Sequence, residues 1–322
     1  MSPALRRQLP LLATAGIFLA LFVSAGCLYQ GFFSARSVVN LFADNAFLGI
    51  TAVGMTLVIF AGGIDLSVGA VIGFTSIFTA TLIERHGFHP ATAAVTALAA
   101  GALFGAGMGT LIHVFRQPPF LITLAGMFLA RGGAFWISTE STGITHPLYG
   151  KITEIEWVIT ETIRLPLTAL ILGAVFIGGY LVAHFTRFGR NLLAVGDSEQ
   201  SALLMGLPVG GTKIGAYTIN SMLAVLAGLV ATLYTGSGNP SLGIGLELDA
   251  IAIVVIGGTL LSGGRGHMLG TLLGILVFGT IQAAILFDGR LNPWWIRIVV
   301  GGLLLGFILL QRALVRSAAR RS

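Results

Sequence analysis

The chain has 322 residues, of which 55% are hydrophobic and only 9% charged, far below the roughly 25% charged usage of a soluble domain; a soluble globular fold, which must cover its surface with polar groups, is excluded. Its formal net charge of +6 does not point to nucleic acid, because Arg6, Arg7, Arg312, Arg316, Arg320 and Arg321 sit at the two ends beside apolar runs, where cations mark the cytoplasmic side of a membrane protein. Cys27 is the single cysteine, so no intrachain disulfide can form.

Most apolar blocks are about 18 to 22 residues long, the length at which a helix spans a hydrocarbon core of roughly 30 Å. The expected fold is all-α, a single polytopic bundle, with spans at 9–28, 42–61, 66–83, 91–114, 119–137, 166–185, 214–234, 248–261, 268–286 and 294–311. A short piece beside a GG pair is open to a re-entrant reading. The first span ends in SAGC, which faintly resembles a lipoprotein signal. Ser24 stands where such signals carry leucine, and further spans follow, so it reads as a retained helix. About ten crossings put both termini on one side. That layout leaves eleven Lys and Arg on the inner side against five on the outer, the asymmetry of a cytoplasmic face. An outer loop at about 138–165 carries Glu140, Glu154, Glu156 and Glu161, and an inner loop occupies about 186–213.

The second and third spans meet in LVIFAGGIDLSVGAVIGF. Gly62 and Gly63 let the backbone leave one helix, and Asp65 can accept from the freed amides at the start of the next. An intramembrane acid also points to a path or a partner, and both readings of Asp65 stay open. The stretch recurs at an offset of 201 residues, where Gly62, Gly63, Gly69 and Gly73 fall on Gly263, Gly264, Gly270 and Gly274. Both copies turn on the inner side in this layout, a parallel repeat of the kind that flanks a substrate path in transporters. Asn45, with Asp44, opens the first copy as Glu247 and Asp249 open the second. These acids either complement the positive end of a helix or face the entry to a polar cavity. Arg131, placed near the outer boundary, either snorkels to water or pairs with an acid, or faces the cargo. Gly101, Gly105 and Gly109 recur every four residues, a helix-packing signature. In the inner loop, Asp197 or Ser198 is set to cap a short helix that Gly206 ends and Pro208 prevents from continuing.

No GxxxxGK[ST] occurs, so the chain has no P-loop cradle for nucleotide phosphates. Its six histidines show no HExxH or paired metal-ligand spacing, and no Gx[ST]xG elbow is present. An enzyme is not expected, nor a metal site.

GGIDLSVG, the RFG…AVGDSEQSALLMGL loop and LELDAIAIVVIGGTLLSGG together resemble the inner-membrane permeases of ribose-type sugar ABC importers, of the branched-chain amino acid/ribose type, over nearly the whole chain. DNAFLGITAVGMT, ITLAGMFLARG, ITHPLY, LMGL and FDGRLNPWWIRI are most similar to the galactofuranose importer permeases within that family. Where the family usually shows GGN, this chain has Gly196-Asp197-Ser198. The resemblance implies a bacterial inner-membrane location, a paralogous second permease, a periplasmic sugar-binding protein and a cytoplasmic ATP-binding subunit that hydrolyses the ATP. It implies a coupling helix built on Gly196, Asp197, Ser198, Ala202, Leu204 and Gly206 and no cofactor in this chain; Gly62, Gly63, Gly263 and Gly264 are read from the sequence as helix-packing or hinge residues. The expected path residues are Asn45, Arg131, Glu247 and Asp249 toward the outside, with Asp65 at the inner turn. Ribose or another pentose or hexose is the alternative cargo. An ion-coupled secondary transporter using Asp65 is the rival class.

Overall fold

The computed structural model describes the backbone of residues 3–160, 163–292 and 294–319, and side chains of 11–160, 163–292 and 294–309. The terminal arginine side chains and Glu161 lie outside the described residues. Helix α1 (Pro3–Leu28) is followed by α2 (Ala35–Asp44) and α3 (Ala46–Phe60), which meet at Asn45 with a 57° bend. Then come α4 (Val68–Glu84), α5 (Pro90–Val114) and α6 (Pro119–Ile137). Residues 138–166 hold β1 (Thr142–Gly143), α7 (Pro147–Thr153), β2 (Glu156–Val158) and β3 (Arg164–Pro166). After α8 (Leu167–Phe185) come α9 (Arg187–Asp197) and α10 (Glu199–Leu204). The chain continues through α11 (Val209–Thr235), β4 (Ser237–Gly238), α12 (Leu246–Ile256), α13 (Met268–Asp288) and α14 (Trp294–Ala319).

The expectation of about ten spans is not met by length and composition. Six described helices, α1, α5, α6, α8, α11 and α13, are long and apolar enough to cross a membrane, seven if the bent α2–α3 pair is one span. Helix α4 has 17 residues and α14 contributes Trp294–Leu309 as a shorter apolar stretch. Helix α12 has 11 residues, about 16 Å, and falls well short of a ~30 Å core. The apolar run 248–261 overstates it, because Gly257 and Gly258 end the helix without any drop in hydropathy. Two small antiparallel ribbons, β1 with β4 and β2 with β3, also qualify the all-α expectation.

Small residues set the helix spacing. Gly101, Gly105 and Gly109 face α11, where a Cβ on Gly109 would stand 2.7 Å from the Ile214 Cα. Close backbone approach of this kind holds helices together where lipid offers no hydrophobic contrast. The largest cluster of buried side chains is centred on α3, α4, α11, α12 and α13, including Ile50, Met55, Ile72, Val230, Ile253 and Val277.

The repeat has a structural counterpart. Asn45 precedes α3 and its offset partner Leu246 begins α12; α4 and α13 follow their turns in the same way. The two turns touch: a Cβ on Gly263 would meet the Gly62 Cα at 2.5 Å. Gly196, at the end of α9, packs on both, so α9 and α10 lie at the end of the bundle where both copies turn. Tyr29 and Asp288, joined by a 3.3 Å hydrogen bond, lie at the opposite end, as does Glu84, which accepts from Thr145 and His146 of the 138–166 segment.

Helices α4 and α12 both begin inside the bundle. The Thr123 hydroxyl near the start of α6 donates to the Ile64 carbonyl at 3.3 Å, and Arg131, two turns further along α6, donates to Gly69. Glu247 and the Gly243 carbonyl pack on that same Gly69. The two helix starts therefore meet side by side at an internal level, each with its positive dipole end. Discontinuous helices of this kind mark binding levels in transporters.

Candidate functional site

A cavity of about 210 Å³ opens where α2 bends into α3, walled by the start of α12, by α13 and by α14. Five of its lining side chains are polar, Asp44, Asn45, Asp249, Gln282 and Arg297, and the remainder are apolar, among them Phe47 and Phe278. Asn45 is buried and donates from Nδ2 to the Leu41 carbonyl at 3.0 Å, stitching the last turn of α2 across the bend. Asp44 accepts from the Tyr234 hydroxyl at 3.1 Å. The Arg297 guanidinium lies 5.1 Å from the centre of the Trp294 ring, a cation–π contact, and faces Gly245. The Gln282 Oε1 is buried with no hydrogen-bond partner.

The five path residues expected from the sequence divide among three places. Asn45 and Asp249 line the cavity together. Glu247, two residues from Asp249, instead packs against Gly69 beside Arg131. Of the readings open for Arg131, snorkelling to water is not the one seen. Its Nη1 donates to the carbonyls of Pro240 at 2.5 Å and Leu242 at 2.8 Å, and its Nη2 to Gly69 at 3.1 Å. The loop before α12 turns through positive φ at Gly243 and Gly245. It leaves carbonyls that no helix satisfies, and the planar guanidinium fork supplies the donors.

Asp65 is fully buried and away from the cavity. Its Oδ1 accepts from the Ser67 amide at 2.9 Å and the Ser67 hydroxyl at 2.6 Å, and its Oδ2 from Asn220 Nδ2 at 2.8 Å. Asp65 stands two residues before the N-cap of α4, which is Ser67, so it closes an Asx-type turn. Beside it, the Tyr217 hydroxyl and Asn220 Oδ1 are buried and unpartnered.

At the turn end, Gly62, Gly263 and Gly264 have φ of +77°, +82° and +73°, conformations that glycine adopts without strain. Gly63 faces the Tyr217 hydroxyl, which leaves no room for a Cβ. Asp197 ends α9, with Gly196 before it. Ser198 caps α10, accepting from the Ser201 amide at 3.2 Å, and Gly206 follows with φ +75°. The inner loop thus holds two helices rather than one. Ala202 is buried against Val195 and Val209, whereas Leu204 is 84% exposed. Lys213 pairs with Glu199 at 2.6 Å.

Sequence reasoning did not single out Gln282, Arg297, Asn220 or Tyr217. The available signal was a lone amide inside an apolar helix, as in GTIQAAI and YTINSML. Among the described residues no three His, Cys, Asp or Glu side chains gather at a metal-holding distance.

The family model described as "Branched-chain amino acid transport system / permease component" matches residues 37–308. The chain is 48% identical over 310 residues to the inner membrane ABC transporter permease protein YjfF of Escherichia coli K12, covering 96% of this chain and 94% of that protein. It is 39% identical to the fructose import permease protein FruG of Bifidobacterium longum, covering 96% and 92%. It is 37% identical to the ribose import permease protein RbsC of Escherichia coli K12, covering 82% of each. No solved structure matches it. With most of its length matched by that model, the chain belongs to the branched-chain amino acid transport system permease component family.

Proposed function

We propose that the chain is the membrane-spanning permease subunit of a bacterial ABC importer for a monosaccharide, with galactofuranose the favoured cargo and ribose or another pentose or hexose the alternative. The observation that carries this reading is the polar cavity at Asn45 and Asp249 in an otherwise apolar bundle. It is framed by a bent helix pair and a helix too short to span. Relatives whose names specify fructose and ribose import support a sugar as cargo.

In this reading both termini and α9–α10 face the cytoplasm. The exposed Leu204 surface of α10 meets an ATP-binding subunit, a periplasmic sugar-binding protein delivers cargo at the other end, and a paralogous permease completes the pair. ATP is used by the partner, and this chain carries no cofactor. Because the binding protein makes the main selection of the sugar, the passage needs only weak affinity and a secondary preference among the sugars delivered to it. A few polar groups in an apolar wall provide that.

The test is ATP-driven sugar uptake by the complete importer in proteoliposomes. N45A with D249A is expected to lower the rate while the ATPase still hydrolyses ATP; an unchanged rate places the path elsewhere. The buried Asp65 favours an ion-coupled transporter as second reading. Three donors from within the chain already occupy its oxygens, the pattern of a structural tie.

A further inference from the structure

Three side chains in the cavity have hydrogen-bonding capacity that the chain itself does not use. Gln282 Oε1 is buried and unpartnered. Asp249 and Arg297 both line the cavity. Among the described residues neither forms an ion pair, and Arg297 has only its stacking contact with Trp294. A buried amide oxygen without a donor is unfavourable, and a hydroxyl of a molecule in the cavity can supply one.

The lining also restricts what that molecule is. It carries two carboxylates, Asp44 and Asp249, and one guanidinium, Arg297; Asp44 already accepts from Tyr234, and two acids beside one arginine suit a neutral cargo better than an anion. Two acceptors and a planar donor fork in about 210 Å³, between Phe47 and Phe278, fit a small polyol with hydroxyls on its edge and C–H groups on its faces. We propose that Gln282 and Arg297, with Asp249, are the specificity-determining residues of the permease. The Gln282 oxygen and the Asp249 carboxylate accept from two sugar hydroxyls, and Arg297 donates to a third sugar oxygen. The inference rests on the cavity being the sugar path and adds which atoms read the cargo.

The experiment uses the complete importer in proteoliposomes with ATP and radiolabelled galactofuranose, ribose and fructose, each supplied separately at low concentration. The binding protein is the same throughout, so a change in preference between sugars belongs to the permease. Gln282→Met keeps the volume and removes the amide. It should lower uptake of the preferred sugar about tenfold, the effect of one lost hydrogen bond, with less effect on the others, and leave the melting midpoint in detergent unchanged or raised. Arg297→Lys, which keeps the charge and loses the fork, should also narrow the preference. Wild-type rates and wild-type preference in both variants would overturn the inference and leave the permease function standing. A wild-type importer that hydrolyses ATP yet moves none of the three sugars would overturn the underlying reading, and this inference with it.

Discussion

The backbone N–H of Gly264 donates to the carbonyl of Phe60 at 3.1 Å. This single bond ties the end of α3, in the first copy of the repeat, to the turn between α12 and α13 in the second. Gly196, from the end of α9, presses on both bonded groups, and a Cβ there would collide with the Phe60 carbonyl and the Gly264 amide. The end of α9 and the two turns thus form one packed contact, which adjoins the segment leading into α4 and the end of α12.

Because the knot has no room for a methyl group, Gly196→Ala and Gly264→Ala are expected to destabilise the protein. The cost of such overpacking is about 1–3 kcal/mol, and Gly264→Ala adds strain at φ +73°. Thermal unfolding in detergent measures it as a lowered midpoint. Melting at the wild-type temperature would mean that the turns are slack.

Arg131 holds three carbonyls with one planar group. Lysine keeps the charge but not the fork, so Arg131→Lys should leave at least one carbonyl without a donor, at about 1–3 kcal/mol. Arg131→Met should cost more, with greater protease sensitivity in the 239–245 loop. Equal stability of the two variants would show that charge, not geometry, sets the role of this residue.

The start of α13 predicts a pH dependence. His184 Nε2 accepts from the Met268 amide at 3.1 Å and His267 Nδ1 from the Leu269 amide at 3.1 Å, with the two rings stacked 4.1 Å apart beside Tyr180. A ring nitrogen accepts only while unprotonated, and burial holds His267 below its usual range. A lowered histidine value contributes stability that is full above about 6.5, the unfolded value, and is lost as pH falls through the folded one. The melting midpoint should be level near neutrality and drop below about pH 6. His267→Asn, which still accepts and does not titrate, should weaken the drop, and an identical acid profile in that variant would refute the assignment.

Coupling is tested on α10 with a distinction that burial dictates. Leu204 is exposed, so Leu204→Arg should fold normally and separate ATP hydrolysis from uptake. Ala202 is fully buried, so Ala202→Arg should unfold the segment and report on packing instead. Uptake at the wild-type ratio of sugar to ATP in Leu204→Arg would remove the docking role.

Much of the scaffold was legible where glycine punctuates it. The spans 119–137 and 166–185 agree with α6 and α8 to within a residue, and the glycine offset led to the paired turns. Hydropathy was blind to breaks made without polarity. The end of α12 at Gly257 is followed by GTLLS and was read through, and the bend at Asn45 was read through although Asp44 and Asn45 interrupt the apolar letters there. Two of the three partners of Arg131 come from a loop 109 and 111 residues away in sequence and the third from 62 residues away, where no local signal reaches. Gln282 and Arg297 were visible only as isolated polar letters. Their shared cavity exists because α13 and α14 both pack on α12, a relation held in the tertiary fold.

The most direct measurement sets the purified chain alone against the complete importer in sealed proteoliposomes. The account predicts that the chain alone moves no sugar under a proton or sodium gradient, and that uptake appears once the ATP-binding subunit, partner permease, binding protein and ATP are supplied. Sugar accumulation by the chain alone, driven by an ion gradient and indifferent to ATP, would contradict it.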